Sequence, residues 1–200
     1  MKKSIIVFMS VGMLVLFNCT FEQLEEETIN QDPNFRVTSF FKKAKKGNNN
    51  LSRSSAEEPC MTTNLIAGQN NIAGTITVDT DENDLIITYS TNDDWVINAT
   101  HMSIGNCADQ AIPTTGSGNP KVGKFEHHTT HSDAVNVVTY RISREALDNE
   151  YCFAAHAEVV GPTGEETAWA EGTPFSGKNW AMYVEALLSD CDIDGNPDQR

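Results

Sequence analysis

The sequence predicts an all-β protein: a single antiparallel β-sandwich of the immunoglobulin-like or jelly-roll type, which follows an export signal and a disordered tether. From Cys60 onward, short runs of β-branched and aromatic residues alternate with Gly, Pro and Asn, as strands alternate with turns. No stretch of this region has the length and period of a convincing helix. Seven or more short strands favour a sandwich, and a closed barrel is the nearest alternative.

The chain opens with an export signal. Two lysines precede an apolar run over residues 5–17, which has the regions of a secretory signal but falls short of the roughly 20 residues that span a bilayer. The run ends at Asn18-Cys19 in a segment that resembles a bacterial lipobox, with a plain signal peptide as the alternative. We therefore expect residues 1–18 to be a lipoprotein signal peptide and Cys19 to carry a lipid anchor.

The composition of residues 19–59 is typical of a flexible tether. An acidic run at residues 25–27 is followed by clustered Lys and Arg, and few apolar residues occur after Phe41. Such a segment cannot bury enough surface to offset the entropy lost on ordering. The whole chain has a formal net charge of −14, which argues against a nucleic-acid partner.

The folded domain is expected to cover residues 60–188, with residues 189–200 as an acidic C-terminal tail. Its predicted strands are 72–78, 85–89, 95–104, 136–142, 152–160, 167–170 and 180–185. The first two form a hairpin, in which Ile72, Gly74, Ile76 and Val78 are expected to share one face. In the strand over 152–160, the odd-numbered residues form an apolar face and His156 points away from it.

Four cysteines remain besides Cys19, an even number in an exported chain, which predicts two disulfide bonds. They are Cys60, Cys107, Cys152 and Cys191. Three pairings are open; we prefer Cys107 with Cys152, and Cys60 with Cys191 because that bond would join the two ends of the domain. A catalytic dyad of Cys152 with His156 is excluded, since four residues along a strand span about 13 Å.

The five histidines form the first candidate metal site. They are His101, His127, His128, His131 and His156. Imidazole nitrogens suit zinc, and the His-His-x-x-His spacing can place two ligands on one ion if the segment turns. Thr129 and Thr130 favour extended backbone, and polar hairpin residues explain the cluster equally well. For His101 and His156, a hydrogen-bonded structural role is the main interpretation.

The C-terminal segment resembles the opening of a calcium-binding loop. Asp190, Asp192 and Asp194 alternate and a glycine follows, which matches the first ligand positions of an EF-hand loop. The closing glutamate is absent, so a frayed acidic tail is the main alternative. We therefore expect a protein without a cofactor, and a bound zinc or calcium ion is the alternative.

A long loop over residues 111–125 is the predicted recognition edge, since long ordered loops are often functional. The predicted contact residues are Pro113, Asn119, Pro120, Lys124 and Phe125. Three tryptophans, Trp95, Trp169 and Trp180, either form a platform for sugar stacking or lie in the core.

Three stretches, taken together, are similar to a family of uncharacterised secreted or lipid-anchored β domains of Bacteroidota. They are residues 60–105, residues 112–125, and the segments Ala154-Ala155-His156-Ala157-Glu158, Glu166-Thr167-Ala168-Trp169-Ala170 and Gly177-Lys178-Asn179-Trp180-Ala181. The resemblance implies one exported domain and no particular chemistry.

We expect a lipid-anchored protein of the outer membrane or cell surface of a Gram-negative bacterium, held to the membrane by its N-terminal lipid. Its most favoured function is a non-catalytic module that binds a glycan or an envelope protein. The alternatives are a metal-dependent hydrolase or metal-binding protein that uses the histidines, and a structural or adhesive subunit. No catalytic residues are assigned.

Overall fold

The computed structural model describes residues 58–191, except for the side chains of residues 132–134, together with the backbone of two short strands in the preceding segment. The strands are β1 (Glu27–Thr28), β2 (Thr38–Phe41), β3 (Met61–Ala67), β4 (Asn71–Thr80), β5 (Asp84–Thr91), β6 (Val96–Asn106), β7 (His127–Val135), β8 (Val137–Ser143), β9 (Glu150–Gly161), β10 (Gly164–Ala170), β11 (Thr173–Pro174) and β12 (Met182–Leu187). Four single turns of 3-10 helix are the helical elements of this part of the chain: Cys107–Asp109, Val122–Lys124, Arg144–Ala146 and Leu188–Asp190.

The fold is antiparallel throughout, so the all-β prediction is confirmed. Eight strands form one curled sheet in the order β8-β5-β4-β3-β10-β9-β6-β7. β12 also pairs with β9, and β11 pairs with β12. At the opposite edge of the sheet, β2 pairs with β8. A sandwich of two separate sheets is not confirmed, because β10 pairs with β3 and joins the two halves.

The chain passes twice between the halves of the sheet at one corner. β5 leads into β6, and β7 leads into β8 through Asn136. The Asn136 Nδ2 donates to the carbonyl of Trp95 at 2.8 Å, and the Thr91 backbone N–H donates to the Asn136 carbonyl at 2.9 Å. These hydrogen bonds join the β5–β6 connection to the β7–β8 connection, and they hold the two halves of the sheet together at this corner.

The main core lies inside the curl. One half of the sheet contributes fully buried side chains that include Leu65, Ile87 and Tyr140, and the other half contributes Ile97 and Phe153. Alternation along each strand places these residues on the concave face. The buried odd-numbered face of β9 confirms the prediction for that strand.

A second apolar layer covers the outer face of β9, β10 and β12. It consists of Ile112, Phe125, Cys152, Ala154, Trp169, Phe175 and Ala181. The covering residues come from the loops before β7 and around β11, so β9 is buried on both faces. This outer layer, rather than the concave core, positions the candidate site.

The predicted strands correspond to β4, β5, β6, β8, β9, β10 and β12, while β1, β2, β3, β7 and β11 were not predicted. In the first hairpin, Ile72 is 55% exposed and Ala73 is buried, which corrects the expected common face. The reason is an irregularity in the β3–β4 ladder, where Leu65 pairs with Gly74 but Ile66 pairs with Ile72. One extra residue on β4 reverses the alternation before it.

Two disulfide bonds close the domain, Cys60–Cys191 and Cys107–Cys152, which is the pairing preferred from the sequence. Disulfides indicate an oxidising, extracytoplasmic compartment. Within the described residues, no helix is long and apolar enough to cross a membrane. The expected signal peptide and Cys19 lie outside those residues, as does most of the expected tether; of that segment, β2 pairs with the edge strand β8.

Candidate functional site

The loop over residues 111–125 is anchored near its middle and at its C-terminal end. Phe125 is 3% exposed and packs edge-on against Trp169, with ring centroids 6.3 Å apart. The Asn119 Oδ1 accepts hydrogen bonds from the backbone N–H groups of Lys178 and Asn179 at 2.9 and 3.2 Å. The loop is therefore joined to the loop between β11 and β12.

A cleft opens between these two loops, with a volume of about 390 Å³. Its lining combines a disulfide, apolar groups and polar groups: Cys107, Gln110, Ala111, Ile112, Thr114, Gly118, Cys152, Pro174, Phe175, Ser176, Tyr183 and Glu185. The disulfide joins the first 3-10 turn to β9. A cleft of this size with an aromatic wall and a few polar groups suits a small polar organic ligand.

One wall of the cleft is built by β11 and β12. Tyr183 and Glu185 alternate on the same face of β12, and the Phe175 and Tyr183 rings lie 5.0 Å apart. The Tyr183 hydroxyl donates to Glu185 Oε1 at 3.4 Å, and the Thr173 hydroxyl donates to Oε2 at 3.5 Å. Partial burial, and then the Glu185 carboxylate, raise the pKa of Tyr183, so its hydroxyl remains protonated at neutral pH.

The five predicted contact residues of the loop lie outside the lining of the cleft. Phe125 is a buried anchor, Asn119 holds the neighbouring loop, and Pro120 pairs with Thr114 across the loop. Pro113 accepts a hydrogen bond from the backbone of Lys121, and Lys124 is exposed outside the cleft. The cleft is lined instead by their neighbours, because Phe125 attaches the loop to the sheet and Asn119 attaches it to the loop between β11 and β12.

The five histidines are divided between the two faces of the sheet. His127 and His131 point into the curl, and His128 points outward, because β7 is extended rather than turned. On the outer face, His101 on β6 lies directly opposite His156 on β9 and His128 on β7. The five predicted ligands therefore do not converge on one point.

The outer histidines form a row with Trp169. The Nδ1 atoms of His101 and His156 are 3.3 Å apart, within hydrogen-bonding distance. The His101 and His128 rings are stacked with centroids 6.3 Å apart, and the centroids of His156 and Trp169 lie 4.7 Å apart. The hydrogen-bonded structural interpretation of His101 and His156 agrees with this geometry.

The inner histidines belong to a buried polar cluster. The Thr100 hydroxyl lies 2.6 Å from the Tyr140 hydroxyl and 3.3 Å from His131 Nε2. The His127 and Tyr140 ring centroids are 6.4 Å apart. Burial lowers the pKa of both His127 and His131 to about 4, so both rings are neutral at neutral pH.

Burial acts on the outer pair as well. It is the main cause that lowers the pKa of His156 to about 3, and the neighbouring His101 lowers it further. Burial also lowers the pKa of His101, against the opposing effect of Glu158. Both members of the pair are therefore neutral imidazoles at neutral pH, able to share one proton between their nitrogens.

No group of three or more His, Cys, Asp or Glu side chains is arranged to hold a metal ion within the described part of the chain. Of the predicted calcium loop, Asp190 ends the last 3-10 turn and is exposed, whereas Asp192 and Asp194 lie outside the described residues. Trp95 and Trp169 are buried and Trp180 is partly buried, so these tryptophans do not form an exposed platform.

Sequence reasoning missed the residues that line the cleft from outside the predicted loop, above all Gln110, Tyr183 and Glu185. The alternation of Tyr183 and Glu185 on a short strand was the one available signal. Comparison with protein families, with curated proteins and with solved structures finds no match for this chain.

Proposed function

We propose that the protein is a lipid-anchored, non-catalytic module of the outer membrane or cell surface that binds a short neutral glycan in the cleft between the two loops. The cleft itself is the observation that supports this proposal. It places an aromatic ring, Tyr183, beside hydrogen-bonding groups from Gln110, Thr114 and Glu185. Sugars offer apolar ring faces and hydroxyl groups, which such a combination can bind.

The rigidity of the cleft favours recognition. The Cys107–Cys152 disulfide lies at the cleft, and Asn119 ties its two loops together. At Gly118 (φ +81°), a Cβ atom would overlap Ser176, so the loops touch closely there. A binding site held in its bound shape loses less conformational entropy when its ligand binds.

A small concave site suits a glycan better than a protein partner. A stable protein interface buries about 800 Å² on each partner, whereas the cleft is lined by a short set of residues around about 390 Å³. A metal-dependent hydrolase would need an ion with an open position beside the substrate. The cleft lining contains no histidine, so the geometry favours a binding module.

Isothermal titration of the unlipidated chain with a panel of neutral oligosaccharides tests the proposal. We expect one of them to bind, and Tyr183→Ala to weaken its affinity about tenfold or more, which corresponds to about 1.4 kcal/mol. The matched control is Leu187→Ala, which removes an exposed side chain of the same strand outside the cleft lining.

Either of two results would overturn the proposal. One is that no oligosaccharide of the panel binds to the folded chain. The other is that a glycan binds with the same affinity to the Tyr183→Ala variant as to the wild type.

A further inference from the structure

We propose that His101 and His156 form a zinc-binding site on the outer face of the sheet, independent of the cleft. The two residues are directly opposite each other on β6 and β9. Their positions are fixed by the longest ladder of the sheet, which pairs the two strands from Val96 to Asn106. Two imidazoles held on neighbouring strands present their nitrogens to one point without a flexible linker.

The spacing of the two nitrogens suits a tetrahedral ion. The Nδ1 atoms lie 3.3 Å apart. Zinc binds imidazole nitrogen at about 2.0–2.1 Å, and a tetrahedron of that size places adjacent ligand atoms about 3.3 Å apart. An ion can therefore enter between the two rings with little movement of either side chain.

The arrangement of the pair also suits a metal. An imidazole nitrogen coordinates an ion through its lone pair, and the two Nδ1 atoms face each other within hydrogen-bonding distance. In the metal-free pair, the proton on one Nδ1 is donated in a hydrogen bond to the other Nδ1. Zinc takes the place of that proton, which moves to Nε2 of the same ring, so binding releases no net proton from the pair.

The surroundings attract cations. Glu158 acts electrostatically on His101, and it also lines a second cleft, of about 470 Å³, with Glu165 and Glu166. The Glu158 carboxylate therefore attracts divalent cations towards His101. Because no group of three ligands is preassembled in the described residues, water completes the coordination and the zinc exchanges readily.

The experiment is a titration of the full chain, without a histidine tag and with the Cys19 thiol blocked. Zinc binding is measured by calorimetry, and Co²⁺ is then used as a spectroscopic substitute whose visible bands report tetrahedral coordination. We expect one zinc per chain and a tetrahedral Co²⁺ spectrum. His101→Gln keeps a polar side chain of similar reach and is expected to weaken zinc binding about tenfold or more.

The matched control is His128→Ala, which removes the third, exposed histidine of the row but leaves the pair intact. We expect its zinc affinity to stay close to that of the wild type. Far-ultraviolet circular dichroism confirms that each variant is folded. The site is overturned if folded wild-type protein binds no zinc, if His101→Gln binds it as tightly as the wild type, or if His128→Ala loses it to the same extent.

Discussion

The two faces of β9 are buried by different means. Phe153 and its odd-numbered neighbours pack on the other half of the curled sheet, in a core built from regular strands. Cys152 and Ala154, on the other face, are covered by two loops, a disulfide and a few close contacts at Gly and Asn. The first arrangement supplies stability to the whole domain, and the second arranges a cleft at the surface. The outer face should therefore be the part that can be changed without unfolding the protein.

The largest expected effect comes from the core face. Phe153→Ala should lower the free energy of unfolding by about 3–5 kcal/mol, because it leaves a cavity between two layers of strands that cannot close around it. Phe125→Ala, in the outer layer, should cost about 2 kcal/mol, since its loop can settle into the space. Urea unfolding of both variants measures the difference; equal losses would show that the two faces contribute alike.

Removing the two disulfide bonds one at a time distinguishes an effect on stability from an effect on the shape of the cleft. Removing either bond by a double Cys→Ala substitution should cost about 2–4 kcal/mol, because the unfolded chain gains freedom. The loss of Cys107–Cys152 should also weaken glycan binding, since this bond lies at the cleft. The loss of Cys60–Cys191 should leave binding unchanged in the folded fraction. Thermal unfolding and glycan titration of the two variants check this; a loss of affinity in both would contradict it.

Acid should destabilise the domain through both faces. His127 and His131 inside, and His156 outside, have pKa values of about 4, 4 and 3 when folded, below the ordinary 6.5. Below pH 6.5 the unfolded chain therefore binds more protons than the folded one, and the free energy of unfolding falls as the pH decreases towards about 3–4. Each such histidine contributes up to about 1.4 kcal/mol per pH unit in this window.

Replacing one inner histidine tests this pH dependence. The His131→Gln variant should lose less stability than the wild type between pH 6.5 and pH 4, with a slope lower by about one proton. His128→Gln, at an exposed position of the same strand, serves as the control. Urea unfolding across this pH range provides the slopes, and identical slopes for His131→Gln and the wild type would refute the assignment.

The smallest effect is expected from adding a single methyl group to the outer layer, by a Gly→Ala substitution in the loop over residues 111–125. Gly118 has φ +81° and a Cβ there would overlap Ser176, whereas Gly116 has nothing within 4 Å of its would-be Cβ. Gly118→Ala should cost about 1–2 kcal/mol and reduce glycan affinity by moving the two loops apart. Gly116→Ala should change neither quantity. Unfolding and titration experiments on the pair measure this, and equal behaviour would show that the loops do not need their close contact.

Much of the fold could be predicted from local pattern. The alternation in residues 152–160 correctly assigned the apolar face of β9, and the short β-branched runs identified most strands. Besides the short strands β1, β2 and β11, two longer strands escaped detection. β3 has several half-buried polar residues, and β7 carries the histidine cluster whose period of two was obscured by polar residues on both faces. The shift of register in β4 could not be predicted from its own sequence, because a bulge is defined by the pairing with the partner strand, here β3.

The sequence by itself determined the all-β class, the even number of cysteines behind two disulfides, and the apolar face of β9. These properties follow from composition and from the period of two along an extended chain. Only the tertiary structure decided that His101 meets His156, that Tyr183 and Glu185 face Gln110 across a cleft, and that the sheet curls as one. Such contacts depend on which strands become neighbours and in what register, and that is settled by packing between residues far apart in the chain.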